Sequence, residues 1–352
     1  MKTKLLLPIV ALLALGLFLA GCATGMTPSS WYGMAADAEY AYVSGGLYVY
    51  AVNLETHAEA WKFQIKTSVY AAPVQTEDGQ LLVGGYDHTL YSLDPADGSE
   101  NWQFAEARDR WIGSPLAANE AIYAPNADYS LYALDLDGDL LWSFKADQSI
   151  WGTPVTDGEL VYFGTLGSKV YALEAATGEL AWEVETDGAV LGSPVLRDGV
   201  LYFGLFDGAL AAFDSRDGSL VWQEALDSWA WSGPLLVDET LYIGDGAGNL
   251  SAFSLDGELL WMLELNGAIV GPPVASGNEI IVGTDAGEVY FVSLNGEDIR
   301  TVSVGGQVYG PLLPAGTLTL VSPMPGSQPD SASLFIVLDE NGAQAWDFTP
   351  EK

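Results

Sequence analysis

Past residue 30 the chain alternates between short apolar runs and glycine-marked turns. One kind of run closes on glycine: Leu81-Leu82-Val83-Gly84, Val161-Tyr162-Phe163-Gly164, Leu201-Tyr202-Phe203-Gly204 and Leu241-Tyr242-Ile243-Gly244. A turn follows, as at Phe206-Asp207-Gly208, and then an alternating run such as Leu90-Tyr91-Ser92-Leu93, Leu131-Tyr132-Ala133-Leu134 or Val170-Tyr171-Ala172-Leu173. A second turn leads to a tryptophan: Asp97-Gly98, Asp137-Gly138, Thr177-Gly178, Asp217-Gly218, Asp256-Gly257, and later Asn295-Gly296 and Asn341-Gly342. β-branched and aromatic runs bounded by Asp-Gly or Asn-Gly predict antiparallel strands joined by tight hairpins. Glycine supplies the positive φ such turns need. No helical periodicity appears beyond the N-terminal segment.

The pattern repeats at a fixed period. Tryptophans stand at Trp61, Trp102, Trp142, Trp182, Trp222 and Trp261, spaced by 41, 40, 40, 40 and 39 residues. Arg300 occupies the next position without an indole, and Trp346 follows after 46 residues. These eight anchors predict an all-β, eight-bladed propeller of four-stranded antiparallel blades, with seven blades the alternative. A blade cannot bury both faces alone, so blades stack radially, and ring closure protects the edges. The segment from Trp31 to Trp61 shows later strands of a repeat but no Gly-Ser-Pro strand. The C-terminus carries a surplus strand, Gln344 to Thr349. The expectation is that this last strand completes the first blade and closes the domain 31–352.

Charge narrows the partners. The formal net charge is −35, and its cause is scarcity of cations: Lys plus Arg is 12 against 47 Asp plus Glu. A body this poor in cations cannot hold phosphate backbones by counterion release, which excludes nucleic acid. Docking onto anionic lipid is disfavoured for the same reason. Two readings of the acidity stay open: solubility in a saline or acidic habitat, or a surface that recruits cations or basic partners.

The N-terminus reads as an address. Lys2 and Lys4 precede an apolar run, Leu5 to Leu19, too short for a comfortable membrane span. It ends in Leu19-Ala20-Gly21-Cys22, and Cys22 is the only cysteine, so no intrachain disulfide forms. The ending resembles a bacterial lipobox, which implies a signal peptide at 1–21, a lipidated Cys22 and a short Thr/Ser/Gly tether to residue 30. Several acyl chains anchor durably where one is marginal. The resemblance places the protein outside the cytoplasm, held to the membrane by lipid alone. With Ala23 after the cysteine, it implies the outer membrane of a diderm cell or the outer surface of a monoderm one.

Each repeat unit also carries an acidic residue before the turn and tryptophan: Asp135 with Asp137-Gly138 and Trp142, Glu174 with Thr177-Gly178 and Trp182, Asp214 with Asp217-Gly218 and Trp222. This resembles the pyrroloquinoline-quinone-like propeller repeat and its tryptophan-docking motif, over essentially the whole mature chain. It differs from the WD repeat, whose Trp-Asp appears only at Trp346-Asp347. One branch of the superfamily, the quinoprotein dehydrogenases, binds the quinone with calcium. Those chains are much longer and carry an adjacent cysteine pair, which one cysteine cannot supply. Quinone and calcium are therefore disfavoured, and no catalytic residue is assigned. The other branch, the BamB lipoprotein scaffolds of outer-membrane protein assembly, is similar in length, lipobox and blade number. It implies a monomeric, non-catalytic scaffold that meets envelope proteins through its loops.

The anchor tryptophans Trp61, Trp102, Trp142, Trp182, Trp222, Trp261 and Trp346 are expected to dock between blades. Arg300 marks a weaker junction or an arginine stacking where the indole would lie. Before the Gly/Ser/Pro steps, such as Gly113-Ser114-Pro115 and Gly192-Ser193-Pro194, stand Tyr70, Ile112, Trp151, Leu191, Trp231, Val270 and Tyr309, flanked by Trp111 and Trp229. Of these, Tyr70, Trp111, Trp151, Trp229, Trp231 and Tyr309 either line a channel rim that grips a flat ligand, peptide or glycan, or simply pack the inner strands. His57 and His88 lie in separate repeats with no partner suited to a metal. The many Asp-Gly turns match turn geometry rather than a calcium loop. The segment from Ser322 to Ser333 lengthens a hairpin of the last repeat, as a partner-binding loop or by drift.

Overall fold

The computed structural model describes residues 32–69, 71–324 and 333–351. Cys22 with its tether, Trp31, Tyr70 and most of the Ser322–Ser333 loop lie outside these residues. The described strands form eight four-stranded antiparallel sheets, spanning residues 34–64, 74–104, 116–145, 155–185, 195–225, 235–264, 274–303 and 313–348. Each sheet is one blade of an eight-bladed propeller, and within each blade the strands pair in chain order. First strands of successive blades approach one another at the hub, and fourth strands form the exposed rim.

The second and third strands are buried on both faces, so they read as nearly continuous apolar runs. Fourth strands alternate, as in Leu180–Glu185, because only one face meets a neighbour. The core lies between blades. One cluster joins Tyr123 and Trp142 of blade 3 to Val161, Phe163 and Leu173 of blade 4, and the other junctions repeat it.

Closure differs from the sequence expectation. The terminal strand Gln344–Phe348 pairs with Phe335–Leu338 and completes the last blade, not the first. Blade 1 draws its innermost strand from its own chain, Met34–Ala36, paired with Tyr40–Gly45. That strand is only three residues long and carries no Ser-Pro step, which hid it. Among the described residues the ring shuts by side-chain packing: Met34, Val43, Tyr50 and Val52 meet Leu320, Phe335, Val337 and Phe348.

The anchors share one geometry. Six indole N–H groups donate to a backbone carbonyl of the following blade: Trp61 to Pro95, Trp102 to Leu136, Trp142 to Ala175, Trp182 to Ser215, Trp222 to Leu255 and Trp261 to Leu294, at 2.8–3.0 Å. Above each ring lies the turn glycine of that blade. Gly98, at φ 73°, would put a Cβ 2.5 Å from the Trp61 indole, so only glycine serves there. Across the hairpin each of these tryptophans faces a small residue, Ala51, Ser92, Ala133, Ala172, Ala212 or Ala252, beside a β-bulge.

Arg300 breaks the pattern in a compensated way. It faces Phe291 in a ladder with no bulge, and its guanidinium stacks 4.3 Å from that ring. Its two terminal nitrogens donate to Glu279 at 3.1 and 3.2 Å. A phenyl on the third strand thus takes the space an indole fills elsewhere. At the closing seam Trp346 stacks on His57 at 4.3 Å. His57 sits at φ 60° in the turn position that Gly98 fills in blade 2.

Candidate functional site

Strand order gives the disc two faces. One carries the turns between second and third strands together with the links from each blade to the next. These are tied by backbone hydrogen bonds: the amides of Tyr86, Leu166, Phe206, Gly246 and Asp285 donate to the carbonyls of Ser68, Ser149, Ala189, Trp229 and Ala268. The links then dive toward the axis through the Gly/Ser/Pro steps. Backbones there approach so closely that a side chain on Gly192 or Gly233 would meet the neighbouring blade's main chain.

An axial cavity of about 370 Å³ opens among these steps. Its side chains include Ile112, Trp151, Leu191, Trp231, Val270 and Tyr309. The structure therefore brings Trp151, Trp231 and Tyr309 of the expected ring to one cavity. Trp111 is a correction. It is 1% exposed, wedged 6.4 Å from Phe104 and 5.8 Å from Tyr132, in the core between blades 2 and 3. It fills the place that Ile150 and Val190 hold at other junctions, one residue before the cavity-facing position, so its side chain points away from the rim.

Trp229 stands outside the cavity and extends the aromatic surface toward the rim of the same face. Phe206, a turn residue that sequence reasoning passed over, joins it: the rings stack 6.0 Å apart at 28°. Trp231 meets Phe206 at 5.9 Å and Trp229 at 6.1 Å, edge-on to both, and Trp151 lies 6.3 Å beyond. Four rings thus run from the axis outward. Phe206 is 40% exposed, an unusual position for a phenyl in a turn, and that is the signal that could have found it.

The electrostatics of this face are uneven. In blades 2 and 3 the chain covers its own rings with cations: Arg110 lies 5.1 Å from the Tyr86 centroid and Lys145 lies 5.0 Å from that of Tyr129. Around Phe206 the charges are acidic. Burial, then the neighbouring Asp187, pushes the Asp207 carboxyl above its usual range. The Asp187–Gly188 link lies against Asp207, and Asp227 accepts from Asn249 at 3.1 Å. Among the described residues no ion pair engages Asp187, Asp207 or Asp227.

The axial cavity can be tested against the quinone and calcium of the longer dehydrogenases. Its lining offers indoles, aliphatics, hydroxyls and backbone, with no lysine or arginine for a carboxylated quinone and no carboxylate for calcium. Among the described residues no group of three or more His, Cys, Asp or Glu side chains is arranged to hold a metal. The cavity does not fit that cofactor. One polar atom there is notable: the Ser232 hydroxyl is buried and has no hydrogen-bond partner among the described residues.

Similarity to known proteins follows the same lines. A family described as outer membrane protein assembly factor BamB matches residues 45–151 and 146–348. Outer membrane protein assembly factor BamB of Nitrosomonas eutropha is 31% identical over 113 residues, covering 32% of this chain and 27% of that protein. The chain thus spans only about a quarter of that relative's length in the match. The structure of BamB from Moraxella catarrhalis superposes with a TM-score of 0.71 at 20% identity, over 83% of this chain and 91% of that one. The computationally designed Ika8 protein reaches 0.75 at 17% identity, over 84% and 94%. A europium-containing methanol dehydrogenase reaches 0.68 at 14%, over 82% and 81%. At these identities the superpositions speak for the fold alone, and one fold hosts several activities. The repeat, the blade count and a family match running from residue 45 to residue 348 agree: this chain belongs to the PQQ-repeat propeller family described as outer membrane protein assembly factor BamB.

Proposed function

We propose that this protein is a non-catalytic scaffold of the cell envelope, anchored by lipid on Cys22, that holds other envelope proteins during outer-membrane protein assembly. The observation that carries this reading is the family match along nearly the whole propeller. The geometry supports it. Eight blades make a rigid disc that presents the exposed Phe206 ring in a turn and the half-buried Trp229 in an inter-blade link on one face, while the axial cavity offers no charged group for acid–base work. The test is a cross-linked capture of the native lipidated protein from its own membranes, with partners identified by mass spectrometry. Recovery of outer-membrane assembly components supports the scaffold. Abundant intact protein with no specific partner overturns it. Cys22→Ser should release the protein from membranes and abolish incorporation of labelled fatty acid.

A second reading rests on the unpartnered Ser232 hydroxyl and the Trp151–Trp231 pair: an axial site for a neutral ligand such as a glycan. Replacing both tryptophans with alanine should then abolish glycan retention and leave the fold intact.

A further inference from the structure

The fold already places a cation over an aromatic ring on this face twice, at Arg110 over Tyr86 and at Lys145 over Tyr129. Between blades 5 and 6 the rings and the carboxylates are present, but the cation is not. Among the described residues, no lysine or arginine lies over Phe206 or Trp229. The described cations that lie on this face, Lys66, Arg108, Arg110, Lys145 and Lys169, all precede blade 5. Arg197, at the end of a first strand, and Arg216, in a turn, lie toward the opposite face, and Arg300 lies on a rim strand. From Glu185 onward this face is therefore acidic.

We infer that the Phe206–Trp229 stack, with Trp231 edge-on behind it and Asp187, Asp207 and Asp227 around it, is a site for an arginine or lysine side chain on a basic segment of a partner protein. The inference rests on the scaffold reading and names the chemistry of one contact within it. A guanidinium over an indole or phenyl face is held by the ring quadrupole, and carboxylates beside the ring satisfy its N–H donors. The patch is pinned before binding: the Phe206 amide donates to Ala189 and the Gly246 amide donates to Trp229, both at 2.9 Å. The chain's net charge of −35 complements a basic segment and raises its rate of encounter. Charge alone would hold it anywhere on the surface, whereas the rings supply a place.

The experiment uses the full chain in detergent and a synthetic Gly-Ser-Arg repeat peptide, with a matched peptide in which citrulline replaces arginine. Citrulline keeps the shape and removes the charge. Calorimetry should show saturable binding of the arginine peptide and none of the citrulline peptide. Phe206→Leu and Trp229→Leu, which keep apolar bulk, should each weaken binding on the order of tenfold. Paired Asp187→Asn and Asp207→Asn should do the same. Paired Asp217→Asn and Asp256→Asn, in turns of the opposite face, should leave it unchanged. Equal weakening by the two pairs, or equal binding of the citrulline peptide, overturns the inference. If capture of envelope partners survives the Phe206 and Trp229 changes, only this contact fails, and the scaffold reading stands.

Discussion

At the residue scale, every blade junction except the one at Arg300 carries one anchor indole. The Trp142 ring is buried in the core cluster between blades 3 and 4, and its N–H is satisfied by Ala175 at 3.0 Å. Trp142→Ala therefore opens a cavity and strands a carbonyl, and should cost about 3–5 kcal/mol. Arg300→Ala at the compensated junction should cost only about 1 kcal/mol, since a half-exposed ion pair and one cation–ring contact are lost. Urea midpoints of the two variants check the difference. The acid response depends on residues such as Asp37, Asp128 and Asp157. Burial acts to raise these carboxyls, but backbone amides and the phenols of Tyr42, Tyr132 and Tyr162 outweigh it and hold them below the usual range. Burial and the same bond to Asp128 push Tyr132 up to about 12. Folded-state values below the unfolded ones mean stability that is present above about pH 4 and lost as pH falls through the lowered values. Asp207 has the opposite sign: burial and Asp187 raise its carboxyl, so its charged form opposes folding, and Asp207→Asn should not lower the melting temperature at pH 7 and should lose any advantage in acid. Thermal scans from pH 3 to pH 8 decide both points.

At the element scale, the repeat was legible because glycine turns and tryptophans mark every hairpin. What the sequence hid has physical causes. Met34–Ala36 was missed because a hub strand is recognised by its Ser-Pro step, and here Gly33 alone makes the close approach to Ala72. Trp111 was misplaced because successive side chains of the link between blades 2 and 3 diverge: Trp111 enters the core, and only Ile112 after it looks into the cavity. Phe206 escaped notice because turns are read for glycine and aspartate, not for what they expose. The corrected closure makes its own prediction. Removing residues 342–352 should accelerate hydrogen exchange first at Phe335–Leu338, the strand that loses its ladder. Earlier loss of protection at Tyr40–Gly45 would instead mean that the terminal strand serves the first blade.

At the scale of the whole molecule, one sign of charge dominates. The whole chain carries 47 carboxylates against 12 cations, and the excess of like charge repels across a compact disc. Added salt screens that repulsion over roughly 10 Å at 0.1 M. The melting temperature should therefore climb between 10 mM and 500 mM sodium chloride, and a flat or falling curve would show that local pairing outweighs net charge. The family match and the fold say what kind of body this is, and the acidic half-face with its exposed Phe206 ring says where it differs from a plain disc.

The seam between the first and last blades has a mechanical consequence. The described chain starts at the hub, in Met34–Ala36, and finishes at the rim, in Gln344–Phe348. Where a strand from each end shares a sheet, a pull on the ends must shear a row of hydrogen bonds together. Here the same pull runs from hub to rim across side chains that merely touch, and it peels the rim strand one bond pair at a time. Under tension the ring should open like a spring clip, at its clasp, while the other junctions stay shut.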